Sequence, residues 1–475
     1  PAPILRKDRS MRYVSTRGGV APIAFQPAVL MGLADDGGLL IPESIPDFSD
    51  RLDDWRALDY PALAFEVMRL YATDVPDEGL RTLVEATYGA SYGGPVAPTV
   101  QAGPLHVLEL FHGPTLAFKD VALQFLGNLF SHILGRTGRR LNILCATSGD
   151  TGSAAIYGCR GRPGIDIFIL HPHGRVSPIQ ERQMTTVLDE NVHNIAIEGI
   201  FDDCQAIVKT LASDLEFKAA ASLGAVNSIN WARVLAQIVY YFRACFDTCA
   251  ATGADRVRFC VPTGNFGDIL AAWYALRMGL PIERLILATN ENDILAGFFR
   301  TGRYERGALH RTLAPAMDIQ VASNFERYLY HRVGRDAGRL RTLMQEFARS
   351  GALAIDPGPD GVVDAEFVAD SCTMDDCLDT IRRWHRDHGY LLDPHTAVGV
   401  AVAARRIAAR QDAGSPIVCV GTAHPAKFPD AIRRATGRDP APHPAIDALM
   451  DRPTRCAVLP NDPEAVRRAI LSALA

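Results

Sequence analysis

A chain of 475 residues is too long for one ordinary hydrophobic core, so two or three domains are expected. With 48% hydrophobic and 22% charged residues it has the composition of a soluble globular protein. A net charge of −5 without a basic run argues against a nucleic-acid partner, and no apolar stretch is long enough to span a membrane.

The opening "PAPILRKDRSMRYVSTRGG" lacks the apolar core of a secretory signal. Met11 reads as the natural start, with residues 1–10 an upstream extension. Residues 11–95 carry short helical patterns such as "YPALAFEVMRLYATD", while "STRGG" and "DDGGLLIPESIP" mark turns. Next comes "ELFHGPTLAFKD", Glu109 to Asp120, with one lysine placed directly before an apolar helix. Ala122, Leu126, Leu129 and Ile133 share a face of that helix, so Lys119 falls at its N-terminus, where the dipole disfavours a cation. An amine in such a setting has a lowered pKa and suits Schiff-base chemistry, although a lone lysine more often snorkels to solvent.

From about residue 100 strands alternate with helices. "LNILCAT" is a buried strand, "SGDTG" a tight turn, "SAAIYGCR" a helix and "IDIFIL" the next strand, a βαβ unit that implies a parallel sheet. "HPHG", His171 to Gly174, follows that strand as a loop rather than a metal site. "VHNIAIEG" is a strand, and the helix "FDDCQAIVKTLA" is expected to be capped near Asp202. After the long helix in "SINWARVLAQIVYYFRACF", the run "RVRFCVP–TGNFG–DILAAWYALRMG" repeats strand, glycine turn and helix. "RLILATN" adds a strand, residues 300–390 read as mostly helical with polar joins at "DPGPDG", and "SPIVCVGTAHPAKFPDAIRRA" closes with strand, loop and helix. The ten cysteines are scattered, without CxxC pairs or zinc spacing, which suits free thiols in a reducing cytoplasm and no metal.

Two of these turns can bind anions. "TGNFGD", Thr263 to Asp268, offers a strand-to-helix turn to a phosphate but lacks the Walker lysine and the GxGxxG spacing. "TSGDTGSA", Thr147 to Ala154, suits a carboxylate through its N–H groups and the hydroxyls of Ser148 or Thr151, unless it only caps its own helix. Two anion turns and an imine-forming lysine point to pyridoxal 5'-phosphate with an amino-acid substrate.

The segments "MRYVSTRGG", "DGGLLIPE", "FHGPTLAFKD", "TSGDTGSAA", "GRVSPIQERQMTT", "NSINWAR", "PTGNFGD", "MDIQVASNFER" and "GTAHPAKF" occur in order from Met11 to about Phe428. In these the chain resembles the threonine synthase family, in its enteric-bacterial and fungal branch. The resemblance implies a fold type II pyridoxal-phosphate enzyme of class α/β, with two parallel-sheet lobes, flanking helices and an N-terminal helical region. The expected organisation is an N-terminal region over 1–95 and a catalytic region over 96–430, whose smaller lobe lies around 140–230. A C-terminal helical tail over 431–475 completes it.

The implied reaction turns O-phospho-L-homoserine and water into L-threonine and phosphate, in the cytoplasm, by a monomer or homodimer. Lys119 would hold the cofactor as an internal aldimine; Gly264, Asn265, Phe266 and Gly267 would cradle its phosphate, with Asp268 at the helix start. Thr422 would offer its hydroxyl to the pyridine nitrogen. Ser148, Gly149, Asp150 and Thr151 are the expected substrate-carboxylate turn. For the substrate phosphate, "GRVSPIQERQ" offers Arg175, Ser177, Arg182 and Gln183, and "NSINWAR" offers Asn227, Ser228, Asn230 and Arg233; Ser177 and Arg182 are preferred. Many members of the wider fold type carry asparagine where this chain has Asp150. A carboxylate there would repel the ring oxygen of the cofactor, so Asp150 either contacts the ring or only shapes the backbone. The rivals are a dehydratase or β-replacing enzyme of the same fold, which would release no phosphate, and a binding protein without the reaction.

Overall fold

The computed structural model describes residues 10–224, 226–358, 361–409 and 414–474. The expected upstream extension therefore lies outside the described residues except for Ser10, as do Pro359 and Asp360 of the "DPGPDG" join.

In chain order, β1 (Tyr13–Ser15) and β2 (Leu40–Pro42) form a small antiparallel pair. They are followed by β3 (Thr99–Ala102), β4 (Leu105–Glu109), β5 (Leu141–Ala146), β6 (Ile165–Pro172), β7 (Val192–Glu198) and β8 (Leu223–Gly224). β9 (Val257–Pro262) and β10 (Ile282–Thr289) precede a second antiparallel pair, β11 (Arg303–Glu305) with β12 (Ala352–Ala354). The remaining strands are β13 (Phe367–Ser371), β14 (Ile417–Gly421) and β15 (Ala457–Pro460).

Two sheets organise the molecule. The larger has the order β13-β10-β9-β14-β4-β3 and is parallel except for the β3–β4 hairpin at its edge. The smaller has the order β15-β7-β6-β5-β8 and is parallel throughout. Every residue of β6, β9 and β14 is buried, as strands covered by helices on both faces must be, and this is why they read as near-continuous apolar runs, interrupted by Asp166, His171 and Arg258.

Elements with weak apolar signals departed from expectation. Residues 300–390 are not mostly helical: β11 and β12 are three residues each, and β13 is an edge strand in which only Phe367 is buried. The C-terminal tail is not all helix either, because β15 joins the smaller sheet beside β7 and the Pro463–Leu474 helix buries Val466 and Ile470. The cap expected near Asp202 comes from Asp203, whose carboxylate accepts the Ile200 N–H at 2.7 Å.

Two contacts position the site. The Lys119–Thr137 helix crosses the Asp150–Cys159 helix so closely that a Cβ on Gly127 would lie 1.8 Å from the Gly158 carbonyl oxygen. Glycine at both positions sets the spacing between helices whose first residues are Lys119 and Asp150. The N-terminal region is bound in through "STRGG": the Arg17 guanidinium pairs with Glu326 at 2.8 Å, and Thr16 Oγ1 donates to the same carboxylate at 2.7 Å. Buried Arg327 donates to the Leu40 carbonyl, and Asn324 N–H donates to the Asn265 carbonyl at 3.0 Å. The N-terminal strands thereby buttress the Thr263–Asp268 turn.

Candidate active site

Four loops meet at the carboxyl ends of parallel strands, the edge where open α/β sheets bind ligands: those after β4, β9 and β14 in the larger sheet and after β5 in the smaller. The β4 loop carries Lys119 and the β14 loop carries Thr422. They are zipped together, because Phe118 N–H donates to the Thr422 carbonyl at 2.9 Å and His424 N–H to the Leu116 carbonyl at 3.1 Å. Asp120 is fully buried and accepts the Thr115 N–H at 2.8 Å and its hydroxyl at 2.7 Å, so it staples the lysine loop. Its carboxylate is thereby committed to Thr115. Burial raises its pKa to about 6 against these hydrogen bonds.

Lys119 is the first residue of its helix and is 8% exposed, so it does not snorkel. Its Nζ lies 3.6 Å from Asp150 Oδ2. Burial lowers its pKa; Asp150 opposes that shift, and the charges of Lys427 and Arg233 add to it. A buried amine with a depressed pKa at a helix N-terminus is equipped both to bond a carbonyl carbon and to carry protons.

In the β5 turn, Thr147 Oγ1 accepts the N–H groups of Gly149 and Gly152, each at 2.9 Å, and Gly149 takes φ +145°, a region closed to side chains. Ser148 is exposed, Thr151 half-buried and Asp150 buried. Asp150 Oδ1 is held by Lys427 Nζ at 2.7 Å and by Gln180 Nε2 at 2.8 Å. Burial would raise the pKa of this carboxyl, but the Lys427 and Lys119 ammonium groups hold it well below the usual carboxylate range.

In the β9 turn a Cβ on Gly264 would lie 2.6 Å from the Ala316 carbonyl, and Phe266 adopts φ +63°. The Phe266 ring packs against Phe299, Phe325 and Phe367, so only its backbone faces the turn, while Asn265 is exposed and Gly267 opens the next helix. Asp268 turns inward, where its Oδ1 accepts hydroxyls from Tyr240 and Tyr241. Burial raises its pKa to about 6, partly offset by those donors. Its carboxylate is thus engaged with the tyrosines, which leaves the backbone N–H groups of the turn as the donors it can offer an anion.

Thr422 Oγ1 is buried and has no hydrogen-bond partner among the described residues. A buried hydroxyl without a partner costs roughly 1–3 kcal/mol, and a ring nitrogen would satisfy it. The residues present therefore fit pyridoxal phosphate: an amine for its aldehyde carbon, a glycine turn for its phosphate, a hydroxyl for its nitrogen.

Among residues expected at the substrate phosphate, Ser177 caps the Pro178–Thr185 helix and donates to Gln180 Oε1 at 2.9 Å. Arg182 Nη1 donates to the Leu449 and Arg452 carbonyls, each at 3.1 Å, and so fastens the C-terminal segment. Gln183 donates to the Thr115 carbonyl, Arg175 and Asn227 are exposed, and Asn230 donates to the Val29 carbonyl. Arg233 is 4% exposed, its Nη1 donates to the Val226 carbonyl, its Nε has no partner among the described residues, and burial lowers its pKa to about 10. Sequence reasoning missed Lys427 and Gln180 as site residues. The lysine stands inside "GTAHPAKF", one strand-end loop with Thr422, and that shared loop was the available signal. A cleft of about 780 Å³ opens beside the same loops, lined in part by Gly113, Leu116 and His424; neither Lys119 nor Thr422 lines it, so it adjoins the site without being it.

Sheets of this topology with a buried lysine, a glycine turn and a hydroxyl unpartnered among the described residues at three strand ends fit a fold type II pyridoxal-phosphate-dependent enzyme. The family model "Pyridoxal-phosphate dependent enzyme" matches residues 99–361, "Threonine synthase N terminus" matches 12–88 and "Threonine synthase, C-terminal" matches 396–470. The threonine synthase of Pseudomonas aeruginosa is 49% identical over 95% of this chain and 96% of its own length. The pyridoxal-phosphate-bound threonine synthase structure from Brucella melitensis superposes with a TM-score of 0.92 at 46% identity, covering 98% of this chain and 99% of that one. Yeast threonine synthase does so with a TM-score of 0.92 at 42% identity, covering 98% and 99%. The chain belongs to the threonine synthase family and is a pyridoxal-phosphate-dependent lyase.

Proposed function

We propose that this enzyme converts O-phospho-L-homoserine and water into L-threonine and phosphate, with Lys119 as both the anchor of the cofactor and the group that moves protons at the substrate carbons. The observation that carries the reading is the Lys119 amine, buried at a helix N-terminus 3.6 Å from Asp150 on a loop zipped to that of the unpartnered Thr422 hydroxyl. When bound, the cofactor supplies an electron sink for protons leaving the substrate's α- and β-carbons. The chain supplies the rest. The Ser148–Thr151 turn binds the substrate carboxylate through helix-start N–H groups. Arg233, with Ser177 nearest the helix start in the "GRVSPIQERQ" segment, receives the substrate phosphate. A buried Arg with an unpartnered Nε suits a dianion. The departing phosphate is the base that activates water at the β-carbon, so Lys119 handles only carbon-bound protons. Ten free thiols, nine of them buried, support a reducing, cytoplasmic setting.

Purified protein is expected to be yellow, to lose its absorbance band on borohydride reduction and to release phosphate from O-phosphohomoserine. Lys119→Ala should abolish both band and release. A band that persists in that variant sinks the assignment, whereas a normal band without phosphate release selects the dehydratase or binding-protein alternatives.

A further inference from the structure

Lys427 has no exposed surface, and the reaction outlined above does not use it. It ends the short turn Pro425–Lys427 that follows Thr422, and its Nζ has two partners: Asp150 Oδ1 at 2.7 Å and the Thr115 carbonyl at 2.7 Å. Asp150 is thus gripped on one oxygen by Lys427 and by Gln180, whose amide oxygen is in turn held by Ser177. The other oxygen, Oδ2, faces Lys119 Nζ at 3.6 Å. Three buried charges stand in a row, with the carboxylate between two ammonium groups.

The two lysines are not equivalent. Lys119 must change its bonding during any reaction in which it holds and releases a carbonyl carbon. Lys427 is tied to the backbone of Thr115, on the loop stapled by Asp120, and has no such task. The lasting counter-ion of Asp150 is therefore Lys427. A lone buried carboxylate would be costly and would repel the electron-rich ring oxygen of a pyridoxal cofactor, whereas a carboxylate cancelled by a fixed ammonium is a neutral unit that still presents one acceptor oxygen.

We propose that Lys427 is a positioning residue for the cofactor: the Lys427–Asp150 ion pair acts as one neutral side chain that aims Asp150 Oδ2 at Lys119 and at the ring oxygen. The inference rests on the pyridoxal-phosphate reading of the site and deepens it. The pair is neutral overall, as an amide would be, but Oδ2 only accepts, so a carboxylate is tolerated at that position when the ring oxygen keeps its proton and donates it to Oδ2. It also assigns the lysine of "GTAHPAKF" to the same function as the aspartate of "SGDTG", far away in the sequence.

The test is a double-variant cycle read by equilibrium titration of the apoprotein with pyridoxal phosphate, without substrate, and by the thermal midpoint of each apoprotein. Lys427→Met strands a buried carboxylate and should weaken cofactor affinity by about tenfold or more; Asp150→Asn strands a buried ammonium and should also weaken it. The double variant Asp150→Asn/Lys427→Met restores neutrality and should bind the cofactor more tightly than either single variant. If Lys427→Met does not fold, the comparison of Asp150→Asn with the double variant still decides. A double variant no tighter than Asp150→Asn overturns the proposal. Because no substrate is present, a wrong substrate assignment leaves the result intact; wild-type protein that takes up no cofactor overturns both readings together.

Discussion

Gly127→Ala should be among the most damaging single-methyl changes in the chain. The new Cβ would sit 1.8 Å from the Gly158 carbonyl oxygen, and contacts under 3.0 Å are essentially never adopted, so the two helices must part by about 1.2 Å. The obstacle is backbone, which cannot rotate away as a side chain can. Overpacking of this kind costs about 1–3 kcal/mol, and the rigid carbonyl places it at the upper end. Alanine returns about 1 kcal/mol in helix propensity, which leaves a net loss of about 2 kcal/mol. Gly135 lies on the same helix with nothing among the described residues within 4 Å of its added Cβ, so Gly135→Ala should gain about 1 kcal/mol. The same chemical change in one helix thus has opposite signs, separated by about 3 kcal/mol. Thermal midpoints of the two apoproteins read the contrast directly. Cofactor affinity should fall only in Gly127→Ala, because Lys119 and Asp150 begin the two helices that move apart. Equal midpoints for the two variants, or unchanged cofactor affinity in Gly127→Ala, would refute the account of how these helices set the site.

Asp120→Asn tests the electrostatics of the lysine loop. The folded-state pKa of about 6 lies above the ordinary 3.8, so the contribution of Asp120 is most favourable below pH 3.8 and is lost as pH rises toward 6. Asparagine does not titrate. The midpoint of the variant relative to wild type should therefore climb between about pH 4 and 6 and level off above, on top of a constant loss from one missing acceptor for Thr115; a flat difference across that window refutes the assignment. Thr422→Val keeps the branched shape and removes the unpartnered hydroxyl. The apoprotein should be as stable as wild type or more so, while cofactor affinity falls by about three- to tenfold, the worth of one hydrogen bond. Unchanged affinity in an isothermal titration would remove Thr422 from the cofactor site.

The buried parallel strands β5, β6, β7, β9, β10 and β14, the helix that begins at Lys119 and the two glycine turns were legible in the sequence, because each is written in contiguous residues. β5, β6, β9 and β14 are apolar runs since both faces are covered, and strand-end turns need glycine where backbone must approach or φ is positive. The edge strands β13 and β15 were not legible, because half-exposed positions carry no alternation strong enough to separate them from loop or helix ends. The tertiary structure alone decided the charge partners. Which lysine answers Asp150, which carbonyls hold Arg182 and which tyrosines receive Asp268 depend on contacts between distant loops, and no local propensity or spacing records a pairing made across the packed interior of the protein.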